Sequence, residues 1–216
     1  MTQPPRAAYQ QGDHVCTLYA SPEEQLQAAV EYICAGLARG ERCLYVCGEH
    51  SPDQLRAALS EGGVDVAAEE RRGALLLITK REGHLKGGSF EPSKMIGMLR
   101  NAVADALAAG YRGLCAAGDM NWVLDGAQGT GLLREYERLL NDFYPNQRAL
   151  GLCQYNRRTF PARFLDDCMA THPHVRVDGP LLLTNPFYGL GEDALARKSA
   201  DEIERRLRVV RAGSAA

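Results

Sequence analysis

Hydrophobic positions along the chain fall into two alternating patterns: short continuous apolar runs, and longer stretches in which apolar residues recur every three to four positions. The first run, His14-Val-Cys-Thr-Leu-Tyr19, is rich in strand formers and leads into Ser21-Pro-Glu-Glu24. There Ser21 can cap a helix, Pro22 suits its first position, and Glu24 can bond back to the cap amide. Leu26, Ala29, Val30, Ile33 and Leu37 then share one face, and Gly40 ends the helix. Arg42 to Val46 is a second strand, Ser51-Pro-Asp-Gln54 repeats the cap, and a helix runs to about Glu61 before Gly62-Gly63 breaks it. Ala74 to Thr79 is continuously apolar, as suits a strand covered on both faces. A glycine-rich loop, Gly83 to Ser89, precedes a long helix that starts at Glu91-Pro92, turns Met95, Leu99, Ala102, Val103 and Ala106 inward, and stops at Gly110.

Leu114 to Ala117 is a buried strand that runs through Gly118 and delivers Asp119, Asn121 and the single tryptophan, Trp122, at its carboxyl end. A helix carrying Leu132, Leu133, Tyr136, Leu139, Leu140 and Phe143 follows, then a strand, Leu150 to Tyr155, that ends in Asn156-Arg157-Arg158. Phe160 to about Ala170 is helical, entered through Pro161. Val175 to Val177 and Leu181 to Thr184 flank Asp178-Gly179, a hairpin signal. Strand-helix alternation with short connections predicts a three-layer α/β fold: a mostly parallel, doubly wound sheet with an antiparallel hairpin at one edge. Residues 1–11 form a loose start, 12–190 the domain, and 191–216 a C-terminal helix and tail. In that helix Ala196, Ala200, Ile203, Leu207 and Val210 make a short heptad seam. The seam suits packing on the domain, or a dimer-forming or output helix.

Composition narrows the function classes. A chain of 216 residues, 45% hydrophobic, can bury one full core, and a net charge of −2 gives no broad attraction to nucleic acid or an anionic membrane. No apolar run approaches the roughly 20 residues of a spanning helix, and the polar start lacks a signal peptide, so a cytoplasmic location is expected. Cys16, Cys43, Cys47, Cys115 and Cys153 lie in or beside strands and look like reduced core residues. Cys43 and Cys47 have zinc-type spacing, but strand alternation alone produces it, and His172 and His174 lie far off in sequence; no metal or other cofactor is expected.

Ligands of open α/β sheets bind outside the carboxyl ends of the strands. Leu37 to Glu49 and Leu107 to Asp119 echo one another, each running from helix end through a buried strand to a glycine and an acid, so two carboxylates stand at such ends. A pocket there would draw on His14, Glu49, Asp119, Asn121, Trp122, Tyr155 and Arg157; alternatively Gly118-Asp119 is only a turn and Trp122 a core anchor. Arg157 and Arg158 could pair with those acids, meet an anionic ligand, or simply be solvated. His14, Glu49, Asp119 and Cys16 could supply acid-base or thiolate chemistry, yet no compact serine, cysteine or metal signature accompanies them. A non-catalytic binding domain is the expectation, against a protein-interaction module without a ligand, or an enzyme.

The segments Gly12-Asp-His-Val-Cys-Thr-Leu-Tyr, Gly40-Glu-Arg-Cys-Leu-Tyr-Val, Gly110-Tyr-Arg-Gly-Leu, Gly118-Asp-Met-Asn-Trp, Leu152-Cys-Gln-Tyr-Asn-Arg-Arg-Thr-Phe-Pro and His172-Pro together resemble the MEDS domain, the methanogen/methylotroph, DcmR-type sensory domain, over about residues 12–188. The resemblance implies a cytoplasmic prokaryotic input module that detects a small organic molecule. It also implies regulation of signalling or transcription through a partner such as a histidine kinase or sigma-factor regulator. The charge balance speaks against direct contact with nucleic acid or membrane, and the C-terminal seam allows a homodimer. The family in turn is similar to RecA- and KaiC-type ATPases. By that match Glu49 falls on the first of their paired acids, His50 replaces the second, and Asp119 falls near the Walker B acid. The turn Leu18-Tyr-Ala-Ser-Pro-Glu-Glu holds none of the glycines or the lysine of a phosphate cradle. RecA-like architecture is further expected to set the first strand beside the strand that ends at Asp119.

Overall fold

A computed structural model describes residues 8–177, 179 and 181–189, together with 205, 208 and 212. Seven strands form one sheet: β1 (His14–Tyr19), β2 (Arg42–Cys47), β3 (Leu75–Thr79), β4 (Leu114–Asp119), β5 (Ala149–Asn156), β6 (His174–Val177) and β7 (Leu182–Thr184). Their order is β3-β2-β4-β5-β1-β6-β7, and all pairs are parallel except the β6–β7 edge hairpin. The helices are α1 (Pro22–Ala38), α2 (Pro52–Glu61), α3 (Val66–Arg71), α4 (Pro92–Ala108), α5 (Leu133–Phe143) and α6 (Ala162–Thr171). None of the described helices is long and apolar enough to cross a membrane.

The steps β1 to β2 to β3 travel toward one sheet edge and place α1, α2 and α3 on one face; the steps β3 to β4 to β5 to β6 travel back and place α4, α5 and α6 on the other. Reversing direction while keeping one hand of crossover puts the helices on opposite faces. Each face therefore has its own core. Ala29, Tyr32, Ile33, Leu55 and Leu59 pack with the strand residues of one face, and Met95, Leu99, Val103, Leu140 and Leu165 with those of the other. Helix α1 comes so close to the sheet that a Cβ at Gly36 would lie 2.6 Å from the Cys115 sulfur and 2.7 Å from that of Cys43. All seven cysteines are unpaired thiols, and Cys43 and Cys47 belong to this core face.

Several local expectations hold in detail. Ser51 and Gln54 form the full reciprocal cap at 3.2 and 2.9 Å, and the β6–β7 hairpin forms at the edge. At α1, Ser21 accepts from the Glu24 amide, but the Glu24 carboxylate takes the amide of Ala20, one residue before the cap, at 2.7 Å. Helix α3 was not anticipated; the Asp65 side chain starts it by accepting from the Ala68 amide at 3.0 Å. The placement of β1 corrects the sequence expectation. It pairs with β5 and β6, and β5 separates it from β4. The crossover from β1 to β2 passes over two strand positions, and β4 and β5, the latter buried along all eight residues, fill them when the chain returns. The C-terminal helix and its seam lie outside the described residues apart from 205, 208 and 212.

Candidate functional site

The connections after β2 and β4 leave toward opposite faces although the strands are neighbours, and such a switch point opens a crevice at the carboxyl edge. Four side chains from three strand ends meet there. Asp119 closes β4 and accepts from the Asn121 amide at 2.8 Å and, across the crevice, from the Glu49 amide at 2.8 Å. The Asn121 side-chain amide donates to the Tyr19 hydroxyl at 2.9 Å and to the Glu49 carboxylate at 2.6 Å. Gly48 permits this closure, since a Cβ there would sit 2.7 Å from the Asp119 carboxyl carbon.

Burial raises the Asp119 carboxyl from 3.8 to about 6, against the two backbone amides that favour its charge. Burial, aided by the Asp119 and Glu49 charges, also pushes the Tyr19 phenol far above its ordinary value, so it remains a neutral hydrogen-bonding group. The buried Asn121 Oδ1 has no hydrogen-bond partner. The set can therefore orient a polar group and hold or release a proton at Asp119. It contains no activated nucleophile.

On the other side of β4 the ring of His84 lies over Gly118, where a Cβ would meet it at 2.9 Å. His84 stacks on Trp122 with centroids 5.0 Å apart, and Phe90 packs on the same indole at 4.5 Å. Burial lowers His84 to about 4, so the ring is neutral, and its Nδ1 has no hydrogen-bond partner. Beside it lies a cavity of about 250 Å³ between the Gly83–Ser89 turns and the first half of α4, walled by Met95, Met98, Lys86, Glu91 and Lys94.

Of the residues expected to line one pocket, Glu49, Asp119 and Asn121 are brought together. Trp122 is 1% exposed and serves as a core anchor behind the carboxyl edge, not a pocket wall. Arg157 stands at the carboxyl end of β5, its guanidinium donating to the Leu18 carbonyl at 3.3 Å. Tyr155 is fully buried and gives its hydroxyl to Glu137 of α5. His14 begins β1, at the opposite end of the strand from Tyr19, and faces Glu137 at 3.1 Å. Strand direction explains the error: a residue at the amino end of a parallel strand cannot reach the carboxyl edge, whatever its chemistry.

Sequence reading missed Tyr19, His84 and Glu137. Tyr19 carried a signal, as the last residue of a strand next to the switch point; Glu137 carried none, because one acid in an amphipathic helix looks like its solvated neighbours. It also missed the fully buried trio of Gln25, Tyr45 and Gln154, in which the Gln25 amide donates to Gln154 at 2.9 Å and the Tyr45 hydroxyl donates to the same oxygen.

Among solved structures, the chain is similar to a KaiC-like protein of the hyperthermophilic archaeon Pyrococcus horikoshii OT3, with 14% sequence identity and a TM-score of 0.52, over 78% of this chain and 72% of that one. At that identity the likeness establishes the RecA-like fold. No curated protein matches. The model of the methanogen/methylotroph, DcmR sensory domain matches residues 13–173, which is most of the chain, so this protein belongs to the MEDS family of sensory domains.

Proposed function

We propose that this chain is a non-catalytic, cytoplasmic sensory domain that binds a small organic molecule beside His84, where the chain runs on from the carboxyl end of β3 to α4, and passes its occupancy to a signalling partner, such as a histidine kinase or a sigma-factor regulator. The observation that carries the reading is the cavity beside His84. At about 250 Å³ it is smaller than the 300–1,000 Å³ usual for drug-sized ligands, it is walled by Met95 and Met98, and the neutral His84 ring borders it. Methionines adapt their shape to small apolar bodies. Trp122 stacks on that same ring, so occupancy has a direct optical reporter.

The test is native mass spectrometry of protein purified from its own host, followed by titration of Trp122 fluorescence with the retained compound and its analogues. A saturable change that disappears in Met98→Phe, whose ring narrows the cavity without adding a second tryptophan, supports the reading. No retained mass and no saturable change with any compound would instead favour an interaction module that binds nothing small.

A further inference from the structure

We infer that His14, Glu137, Cys153 and His172 form a buried, closed zinc site that joins β1, β5, α5 and the end of α6. One ring nitrogen each of His14 and His172, a Glu137 carboxylate oxygen and the Cys153 sulfur all lie within 4.8 Å of one another. The Glu137 Oε2 is 3.1 Å from the His14 Nε2 and 3.3 Å from the His172 Nε2, while the Cys153 sulfur is 3.7 Å from each of the His14 Nε2 and the Glu137 oxygen. Four of the six edges thus run from 3.1 to 3.7 Å, and a regular tetrahedron with edges of that size has its centre about 1.9–2.3 Å from its corners, close to the roughly 2.0–2.3 Å of zinc bonds to imidazole, carboxylate and thiolate.

The groups around these four atoms act as an outer shell would. The Asn141 side-chain amide donates to the Thr171 carbonyl at 2.6 Å, which turns its oxygen toward the His14 Nδ1 at 2.9 Å. Nδ1 of His14 must then carry the proton, and Nε2 keeps its lone pair for the centre of the cluster. His172 is held the same way, with Nδ1 on the Cys168 carbonyl at 2.8 Å and a buried Nε2 that faces Glu137 at 3.3 Å without the geometry of a hydrogen bond. The Tyr155 hydroxyl occupies one Glu137 oxygen and leaves the other to the two imidazoles and the Cys153 sulfur. Two imidazoles, a carboxylate and a thiolate suit zinc, whereas calcium and magnesium demand more oxygens. Every ligand is buried, with Cys153 the most exposed at 6%, so the fourth position is closed and the site is of the structural kind. A bare buried ion pair between Glu137 and His172 is the competing account.

The experiment uses the full chain, without a histidine tag, expressed with zinc in the medium. Elemental analysis should give about one zinc per chain, and X-ray absorption at the zinc edge should show three nitrogen or oxygen neighbours and a single sulfur. Cobalt substitution should give tetrahedral ligand-field bands and a thiolate charge-transfer band that Cys153→Ser removes. Stripping with a chelator should lower the melting midpoint by roughly 10 °C, and Asn141→Ala should weaken the metal about 10- to 100-fold. Folded protein that holds no zinc and gives no cobalt spectrum overturns the inference and leaves the ion pair. Two sulfur neighbours also overturn it, since they would place the ion at the adjacent group of Cys16, Cys168 and His172. The absorption measurement needs only the unaltered chain, so it stands even if Cys153→Ser fails to fold.

Discussion

Replacing His84 by phenylalanine should change how stability responds to acid. Burial holds the folded ring at about 4 while the unfolded ring takes its proton near 6.5, and the Glu137 charge only weakly opposes this. A base whose folded pKa is depressed contributes stability that is complete above the unfolded value and is lost as pH falls through the window. From about pH 7.5 to about pH 5 that loss is about 2 kcal/mol. Asp119 acts in the opposite sense, because its folded value is raised from 3.8 to about 6, so ionisation at neutral pH penalises the folded state. Acidification over the same interval relieves about 1.5 kcal/mol of that penalty. The two effects nearly cancel in the unaltered chain. Removing either one uncovers the other: His84→Phe should lose about 2 kcal/mol less than the parent between the two pH values, and Asp119→Asn about 1.5 kcal/mol more. Urea unfolding of the three proteins at both pH values measures this directly, since titrations common to all of them drop out of the differences. If His84→Phe responds to acid as the parent does, the folded ring titrates normally and its burial beside Trp122 is wrong.

Two further outcomes follow from the same edge of the sheet. Trp122→Ala should destabilise by about 3–5 kcal/mol in urea, since the indole is buried between His84 and Phe90; a cost below about 1 kcal/mol would make it a pocket wall after all. The chain should not hydrolyse ATP, because the β1–α1 turn spends its Ala20 amide on Glu24 and holds no lysine; magnesium-dependent hydrolysis that vanishes in Glu49→Gln would refute this.

Most of the layered architecture was legible because each signal was local. Pro22 and Pro52 at helix starts, the Ser51–Gln54 cap and the hairpin signal before β7 declare themselves within a few residues. The order of the strands was less so. Whether β1 sits beside β4 or β5 depends on a crossover that spans two strand positions, and no residue of that crossover records its span. Helix α3 failed for the opposite reason, being only six residues long and nearly free of apolar periodicity.

The candidate sites divide along the same line. Glu49 and Asp119 could be placed from sequence because the carboxyl end of a strand is defined by chain direction, and the Gly-acid steps mark where those ends fall. Which face a side chain takes, and which helix covers it, are set by packing between distant segments. His14, Glu137, Cys153 and His172 span nearly the whole domain, and each has an ordinary local explanation: strand residue, helix acid, core thiol, helix end. Only when β5 enters beside β1, so that Cys153 stands level with Cys16 and Gly151 level with His14, do α5 and α6 close over the pair and bring the four polar groups together. The strand order that sequence reasoning got wrong is thus the step that hid the cluster: with β1 placed against β4, His14 and Cys153 would not have been neighbours, and a histidine from one end of the chain would have had no reason to meet an acid and a thiol from the other.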